Sequence, residues 1–182
     1  TVFGEGAAAV VLERESNARA RGAKVLGEFL GFGCCGEASG ILDLEPDGDG
    51  VKRAIEAALA DAGITADQVG FICAHGNGNE ASDASESRGI RGVFGENIPP
   101  VTAFKWAYGH LIAASGIADL VMVLEALKRG LIPGIATLGE VDLRISPFPI
   151  SRQATAPRGD VALLICRGFG GMNVVLVVRG VS

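Results

Sequence analysis

The chain has 182 residues, of which 48% are hydrophobic and 20% are charged, and its formal net charge is −5. This composition predicts one domain or a large piece of one and excludes an intrinsically disordered segment. The scattered basic residues and the acidic balance argue against a nucleic-acid surface, and the longest apolar runs are too short to cross a membrane.

Four cysteines show no metal-binding spacing, and two of them, Cys34 and Cys35, are adjacent. Free thiols in a reducing cytoplasm are therefore expected. The chain has no initiating methionine and no signal segment. We interpret it as a cytoplasmic fragment that begins inside a longer protein.

The first half of the chain combines apolar runs with a glycine-rich acidic stretch. Residues 6–13 and 24–31 predict two strands joined by a short helix, and residues 32–50 predict a surface loop. Asp49 is expected to cap a helix that Gly63 ends. Residues 69–73 then predict a short buried strand.

The second half alternates helical and strand patterns. Residues 82–93 and 110–129 are expected to be helical, and residues 101–104 to form a strand. After an irregular stretch over 131–158, residues 160–166 and 172–179 predict an antiparallel hairpin. The fold class is therefore α/β, with parallel crossovers in the middle and a hairpin added to a mixed sheet.

The two histidines of the chain each lie beside a glycine after a predicted strand. Parallel strands end at the same edge of a sheet, where open α/β folds bind ligands. There, His75 and His110 could donate N–H groups to a carbonyl oxygen that gains negative charge, with the Lys105 ammonium nearby. This combination predicts an active site, although one without a nucleophile.

Each of these residues also has a purely structural interpretation. His75 could be a core histidine bonded to a backbone carbonyl, and His110 could pack at the start of a helix. Lys105 could reach solvent, and Phe169 could sit in a hairpin turn. Only the combination of these residues favours the active site.

Four segments resemble the C-terminal half of a β-ketoacyl-ACP synthase, a condensing enzyme of the thiolase-like superfamily. Their order and spacing resemble those of the elongating enzymes over essentially the whole chain. The segments are Gly4-Glu5-Gly6-Ala7-Ala8; Ala74-His75-Gly76 with Asp83 and Glu86; Lys105 with Gly109-His110 and Ala113-Ala114-Ser115-Gly116; and Gly168-Phe169-Gly170-Gly171 with Asn173.

The resemblance implies a five-layered αβαβα fold made of two similar halves. Residues 1–31 would be the closing strands of the N-terminal half, 32–50 a loop, and 51–182 the C-terminal domain. The nucleophilic cysteine would lie upstream of this chain, so the chain alone would be inactive. The complete protein, with its N-terminal half, would be a homodimer.

The activity implied is decarboxylative Claisen condensation of an acyl thioester with malonyl-ACP, in fatty acid or polyketide synthesis. By this resemblance His75 and His110 bind the malonyl thioester carbonyl and stabilise the enolate. Lys105 orders His75 through a hydrogen-bond network that includes the buried acid Glu86. The substrate arrives on the phosphopantetheine of an acyl carrier protein, and neither a metal nor another cofactor is implied.

The remaining implied site residues contact the substrate. Phe169, between Gly168 and Gly170, resembles the gating phenylalanine beside the cysteine. Asn77 and Asn79 stand where the family has two threonines that contact the phosphopantetheine arm. This departure leaves carrier and chain specificity open.

Two other functions compete with the condensing enzyme. One is a non-catalytic partner of the chain-length-factor kind, which typically loses the catalytic residues retained here. The other is a thiolase-like acyltransferase, which would use a cysteine near the end of the chain as a base, as Cys166 could. The bulky Trp106 and Tyr108, where the family is small, suggest an atypical branch.

Overall fold

A five-stranded mixed sheet organises the protein, whose computed structural model describes residues 1–181. The order across the sheet is β1-β5-β4-β2-β3. The first three strands in this order pair antiparallel, whereas β4, β2 and β3 pair parallel. The strands are β1 (Gly27–Gly36), β2 (Phe71–Cys73), β3 (Val101–Thr102), β4 (Val161–Gly168) and β5 (Met172–Gly180).

Helices cover both faces of this sheet. The long helices begin and end near glycines; α5, for example, is followed by Gly130 in the left-handed conformation, with φ 60°. The helices are α1 (Glu15–Ala20), α2 (Asp49–Ala62), α3 (Glu80–Phe94), α4 (Lys105–Tyr108) and α5 (Ser115–Arg129), with 3₁₀ turns at Ala66–Gln68 and Ile112–Ala114.

The alternation of side chains along β4 divides the core into two layers. Leu163 and Ile165 pack with α2 and α3, whereas Ala162 and Leu164 pack with α5 on the other face. All four side chains are fully buried. The α/β class with a mixed sheet and flanking helices is therefore confirmed.

The structure corrects several boundaries. Residues 6–13 form no strand, because no neighbouring strand is there to pair with them, and most of them are exposed. Strand β1 extends to Gly36, so the loop predicted for 32–50 is wrong over residues 32–36. This strand pairs with β5, and it crosses the boundary predicted between residues 31 and 32.

Two helix starts also differ from the predictions. Gly48, not Asp49, is the N-cap of α2, and Asp49 instead forms an ion pair with Arg53 at 2.7 Å. The helix predicted from His110 begins at Ser115, which leaves His110 in a loop. Within residues 1–181, no helix is long and apolar enough to cross a membrane.

Candidate active site

The backbone around His75 is held by a buried carboxylate. His75 follows β2 directly, and its backbone N–H donates to Glu86 Oε1 at 2.6 Å. The N–H of Gly76 donates to Glu86 Oε2 at 3.0 Å. Glu86 lies on α3 and is buried, so a side chain of α3 fixes the turn that carries the histidine.

Each histidine depends on a neighbouring glycine. Gly76 has φ 44°, and a Cβ there would lie 2.6 Å from Ala103 Cβ. Gly109 has φ 77°, and a Cβ there would lie 2.7 Å from the Gly4 nitrogen. Both positions therefore combine a left-handed backbone with a close approach that only glycine allows.

Backbone N–H groups determine which ring nitrogens of the histidines carry a proton. Arg167 N–H donates to His75 Nδ1 at 3.3 Å, and Ile112 N–H donates to His110 Nδ1 at 3.0 Å. A nitrogen that accepts a hydrogen bond carries no proton, so each neutral ring is protonated at Nε2. Neither Nε2 atom has a hydrogen-bond partner within residues 1–181.

A serine adds a second contact to His110. Ser115 Oγ lies 2.9 Å from His110 Nδ1 and accepts the Leu111 N–H at 2.8 Å. Because Nδ1 already acts as an acceptor, the Ser115 hydroxyl donates to it. The ring centroids of His75 and His110 are 5.3 Å apart, with an interplanar angle of 76°.

The surroundings favour neutral imidazoles. Burial, followed by the positive charges of Lys105, His110 and Arg167, lowers the pKa of His75 to about 3. Burial and the Lys105 charge also lower the pKa of His110, while Asp119 opposes this shift. At neutral pH the two rings therefore present uncharged Nε2–H donors, the device that stabilises a developing oxyanion.

Lys105 is paired with a residue that the sequence analysis did not identify. Its Nζ donates to Asp119 Oδ2 at 2.8 Å, and the two side chains are 4% and 0% exposed. The Tyr108 hydroxyl donates to the other oxygen of Asp119. Among the described residues, Lys105 forms no hydrogen bond with His75, and its charge is one of the causes that lower the pKa of this histidine.

A cavity of about 870 Å³ lies beside the histidine loops. Its wall includes Gly76 and Asn77 after β2, helix α4, and the irregular stretch after α5, but neither histidine side chain. The bulky Trp106 and Tyr108 line it as well. Asp83 also lies in this wall, and within the described chain its buried Oδ1 has no hydrogen-bond partner. Burial, followed by the negative charge of Glu86, raises the pKa of Asp83 to about 6.

Asn77 and Asn79 shape the loop that follows His75. The Asn79 Oδ1 accepts the Ser82 N–H at 3.1 Å and thereby caps α3. The Asn77 Oδ1 accepts the Asn79 N–H at 2.9 Å. The oxygens of both side chains are therefore engaged within the loop, which leaves their NH₂ groups as donors for a ligand.

Phe169 lies at the tip of the β4–β5 turn and is 74% exposed. Neither Phe169 nor its neighbours Gly168 and Gly170 line the cavity. The turn is held to the chain after β1, because Glu37 N–H donates to Gly171 O at 2.9 Å and Gly170 N–H donates to Ile41 O at 2.8 Å. The structure thus separates Phe169 from the cavity wall.

The cysteines near the histidines are poor nucleophiles. Burial raises the pKa of Cys166 to about 11 and raises that of Cys73 well above its usual value. Both thiols are therefore protonated at neutral pH. A thiol in this state is also unsuited to the role of base that a thiolase-like mechanism would require of Cys166.

Asp119 and Arg167 were missed from the sequence, and Ser115 was quoted there without a role, although each had a weak signal. Ser115 and Asp119 lie on the buried stripe of α5, which continues at Val123. A charge at this helical spacing among apolar residues indicates a buried partner. Arg167 likewise interrupts an apolar strand at a position that faces the core.

Comparison with known proteins supports the resemblance to the β-ketoacyl synthases. The profile of the family "Beta-ketoacyl synthase, C-terminal domain" matches residues 26–138. The 3-oxoacyl-[acyl-carrier-protein] synthase 2 of Vibrio harveyi is 35% identical over 190 residues, which cover 100% of this chain and 44% of the relative. The chain belongs to the β-ketoacyl synthase family and corresponds to its C-terminal half.

Solved structures agree in fold. A type II polyketide acyl-carrier protein complex with its ketosynthase contains a chain with TM-score 0.88 and 29% identity, covering 93% of this chain and 42% of that one. The ishigamide ketosynthase/chain length factor contains a chain with TM-score 0.86 and 30% identity, covering 92% of this chain and 41% of that one. The fold is thus thiolase-like, and the chain spans less than half the length of these relatives.

Proposed function

We propose that this chain supplies the oxyanion-binding half of the active site of a 3-oxoacyl-ACP synthase. The observation that carries the proposal is the pair of neutral imidazoles, 5.3 Å apart, whose Nδ1 atoms both accept hydrogen bonds. Their Nε2–H groups are the donors that a thioester oxygen requires as it becomes an enolate.

The proposed reaction begins with loss of carbon dioxide from a malonyl thioester. The bond between the α-carbon and the carboxylate breaks, and its electron pair moves into an enolate whose oxygen accepts from Nε2–H of His75 and His110. The enolate carbon then attacks an acyl thioester, a carbon–carbon bond forms, and the thiolate leaves. A cysteine from the N-terminal half of the complete protein would carry this acyl group.

The proposed partners follow from the same site. An acyl carrier protein would deliver the malonyl group on its phosphopantetheine, whose amides the NH₂ groups of Asn77 and Asn79 could contact. The N-terminal half would cover the exposed apolar side chains near the start of the chain, Val2, Phe3 and Val11 among them. We further propose that the complete protein is a cytoplasmic homodimer.

A non-catalytic partner of the chain-length-factor kind is the second candidate, since such assemblies occur among the structural neighbours. The retained His75, Lys105 and His110 favour the enzyme. The two candidates differ in a measurable way, because the enzyme decarboxylates malonyl-ACP when purified alone. A partner subunit would show this activity only after an active ketosynthase is added.

The test is carbon dioxide release from malonyl-ACP by the complete protein that contains this chain. His75→Ala is expected to lower the rate by about 100-fold or more, because one oxyanion donor is lost. The control Cys34→Ala changes an exposed thiol on β1 and should leave the rate unchanged. Decarboxylation by His75→Ala at the wild-type rate would contradict the proposal.

A further inference from the structure

Arg167 is a buried cation that the proposed chemistry does not use. Its side chain is 4% exposed, and that of its partner Glu37 is 0% exposed. Burying a guanidinium is costly unless all its N–H groups find acceptors. The acceptors around Arg167 therefore show which elements its side chain holds together.

All five N–H groups of Arg167 have an acceptor. Nε donates to Asn173 Oδ1 at 2.9 Å, and Nη2 donates to Glu37 Oε1 at 2.8 Å and to Ser85 Oγ at 3.3 Å. Nη1 donates to the backbone oxygen and the hydroxyl of Ser82, at 2.9 and 3.4 Å. One side chain therefore links β4 to β5, to α3 and to the segment after β1.

Glu37 extends this connection to the turn that carries Phe169. Burial alone would raise the pKa of Glu37, but hydrogen bonds from Glu45 N–H, Asn173 and Arg167 outweigh it and lower the pKa. The Glu37 N–H donates to Gly171 O, and Asn173 Nδ2 donates both to Gly171 O and to Glu37 Oε1. The ion pair and the turn therefore form one unit.

The position of Arg167 in the sheet explains why such support is needed. The ladder between β2 and β4 ends at the pair of Cys73 and Leu164. The end of β4 therefore extends beyond its parallel neighbour β2. On the side facing β2, no strand among residues 1–181 pairs with this end, and the hydrogen bonds of the Arg167 side chain hold it instead. This overhanging end carries the Arg167 N–H that donates to His75 Nδ1 at 3.3 Å.

We propose that Arg167 is a positioning residue for the oxyanion site, because its ion pair with Glu37 holds the end of β4 where its N–H keeps His75 protonated at Nε2. The inference rests on the proposed function. His75 is also faced by Lys105 of α4, by His110 and by Glu86 of α3. Arg167 is the member of this group that donates to the ring.

The informative variant removes both charges at once. Arg167→Met alone would leave the Glu37 carboxylate buried without its cation, whereas Arg167→Met with Glu37→Gln leaves no charge unpaired. The matched control is Arg179→Met with Glu28→Gln, an exposed ion pair at 3.1 Å between β5 and β1. Arg167→Lys keeps the charge but loses the five-donor fork.

The readouts are kcat and KM for malonyl-ACP decarboxylation by the complete protein, measured across pH. The double variant at Arg167 should lose about 100-fold in kcat, because the donor is misplaced, with KM nearly unchanged. The acid limb of its pH–rate profile, the side at low pH, should move to higher pH, because Arg167, unlike Glu37, is one of the charges that lower the pKa of His75. The control pair should match the wild type, and Arg167→Lys should lose kcat without moving the acid limb.

A double variant that folds with wild-type kcat, KM and acid limb overturns the proposal. If the double variant does not fold, Arg167→Lys decides by kcat alone, and a wild-type kcat in this variant overturns the proposal. If the wild-type protein itself does not decarboxylate, the proposed function fails. The ¹⁵N NMR signals of the His75 ring then test the inference about Arg167 separately. We expect the Nε2–H tautomer alone in the wild type and a mixture of tautomers in the Arg167 variants. Identical spectra would overturn the inference.

Discussion

His75 and His110 present the same donor atom but are supported in different ways. His75 is 4% exposed; its backbone N–H donates to Glu86 of α3, 11 positions along the chain, and its ring accepts from Arg167 of β4, 92 positions along. The ring of His110 is held by Ser115 and Ile112, within five residues of it. The ring of His75 is therefore oriented by tertiary packing and the ring of His110 by a local turn, while the His110 backbone bonds to Val2 and Gly4 at the start of the chain.

This difference predicts unequal sensitivity to substitution. A residue on another element should affect the geometry of His75 strongly, whereas the hydrogen bonds to the His110 ring are duplicated within one loop. The following experiments compare the two histidines, beginning with the largest expected effect.

The pH dependence of stability should separate the histidines most clearly. The pKa of His75 falls from 6.5 to about 3 on folding, so only the unfolded chain binds the proton as pH decreases between these values. His75 should therefore reduce the free energy of unfolding by on the order of 3 kcal/mol from about pH 7 to about pH 4. Denaturant unfolding of the wild type and of His75→Gln, at each pH, measures this contribution as a difference.

His110→Gln serves as the comparison. As pH decreases, His110 should also reduce the free energy of unfolding, but by less than His75, since His110 is only partly buried. Asp83 acts in the opposite direction, because its raised pKa costs stability as pH rises from 3.8 to about 6. Taking differences between variants removes this contribution. Equal pH slopes for the wild type and His75→Gln would show that His75 is not neutral by burial.

The next effect concerns the carboxylate that holds the His75 backbone. Glu86→Gln replaces one accepting oxygen by an NH₂ group, which faces a buried N–H of His75 or Gly76. The free energy of unfolding should fall by about 2 kcal/mol, and decarboxylation should slow as the turn moves. Glu80→Gln, an exposed position in the first turn of the same helix, is the control. Equal losses in the two variants would contradict this role of Glu86.

The smallest effect is expected at His110. Ser115→Ala removes one donor to Nδ1, but the Ile112 N–H remains and keeps the same tautomer. Stability should fall by about 1 kcal/mol, because the Leu111 N–H loses its acceptor, and decarboxylation should change little. The exposed Ser39→Ala is the control. A loss of activity as large as that of Glu86→Gln would show that the support of His110 is not duplicated.

The sequence alone determined the fold class and the position of His75 after a buried strand. Apolar periodicity predicted β2, β4, β5 and most of α2, α3 and α5, because side chains alternate in strands and recur every 3.6 residues in helices. The glycine beside His75 marked the turn after β2, whereas helix α4 separates His110 from the end of β3. Predictions were wrong where a strand needed a neighbour, as at residues 6–13, and where β1 continued into the glycine-rich stretch.

Only the tertiary structure decided how the histidines are held. The bond from Arg167 to His75 spans 92 positions, and the ion pair of Arg167 with Glu37 spans 130. Such contacts leave no periodic signal, because they depend on how β4 lies against α3 and the end of β1. The sequence therefore identifies the two histidines as candidate site residues, whereas the packing of the sheet determines which nitrogen of His75 carries the proton.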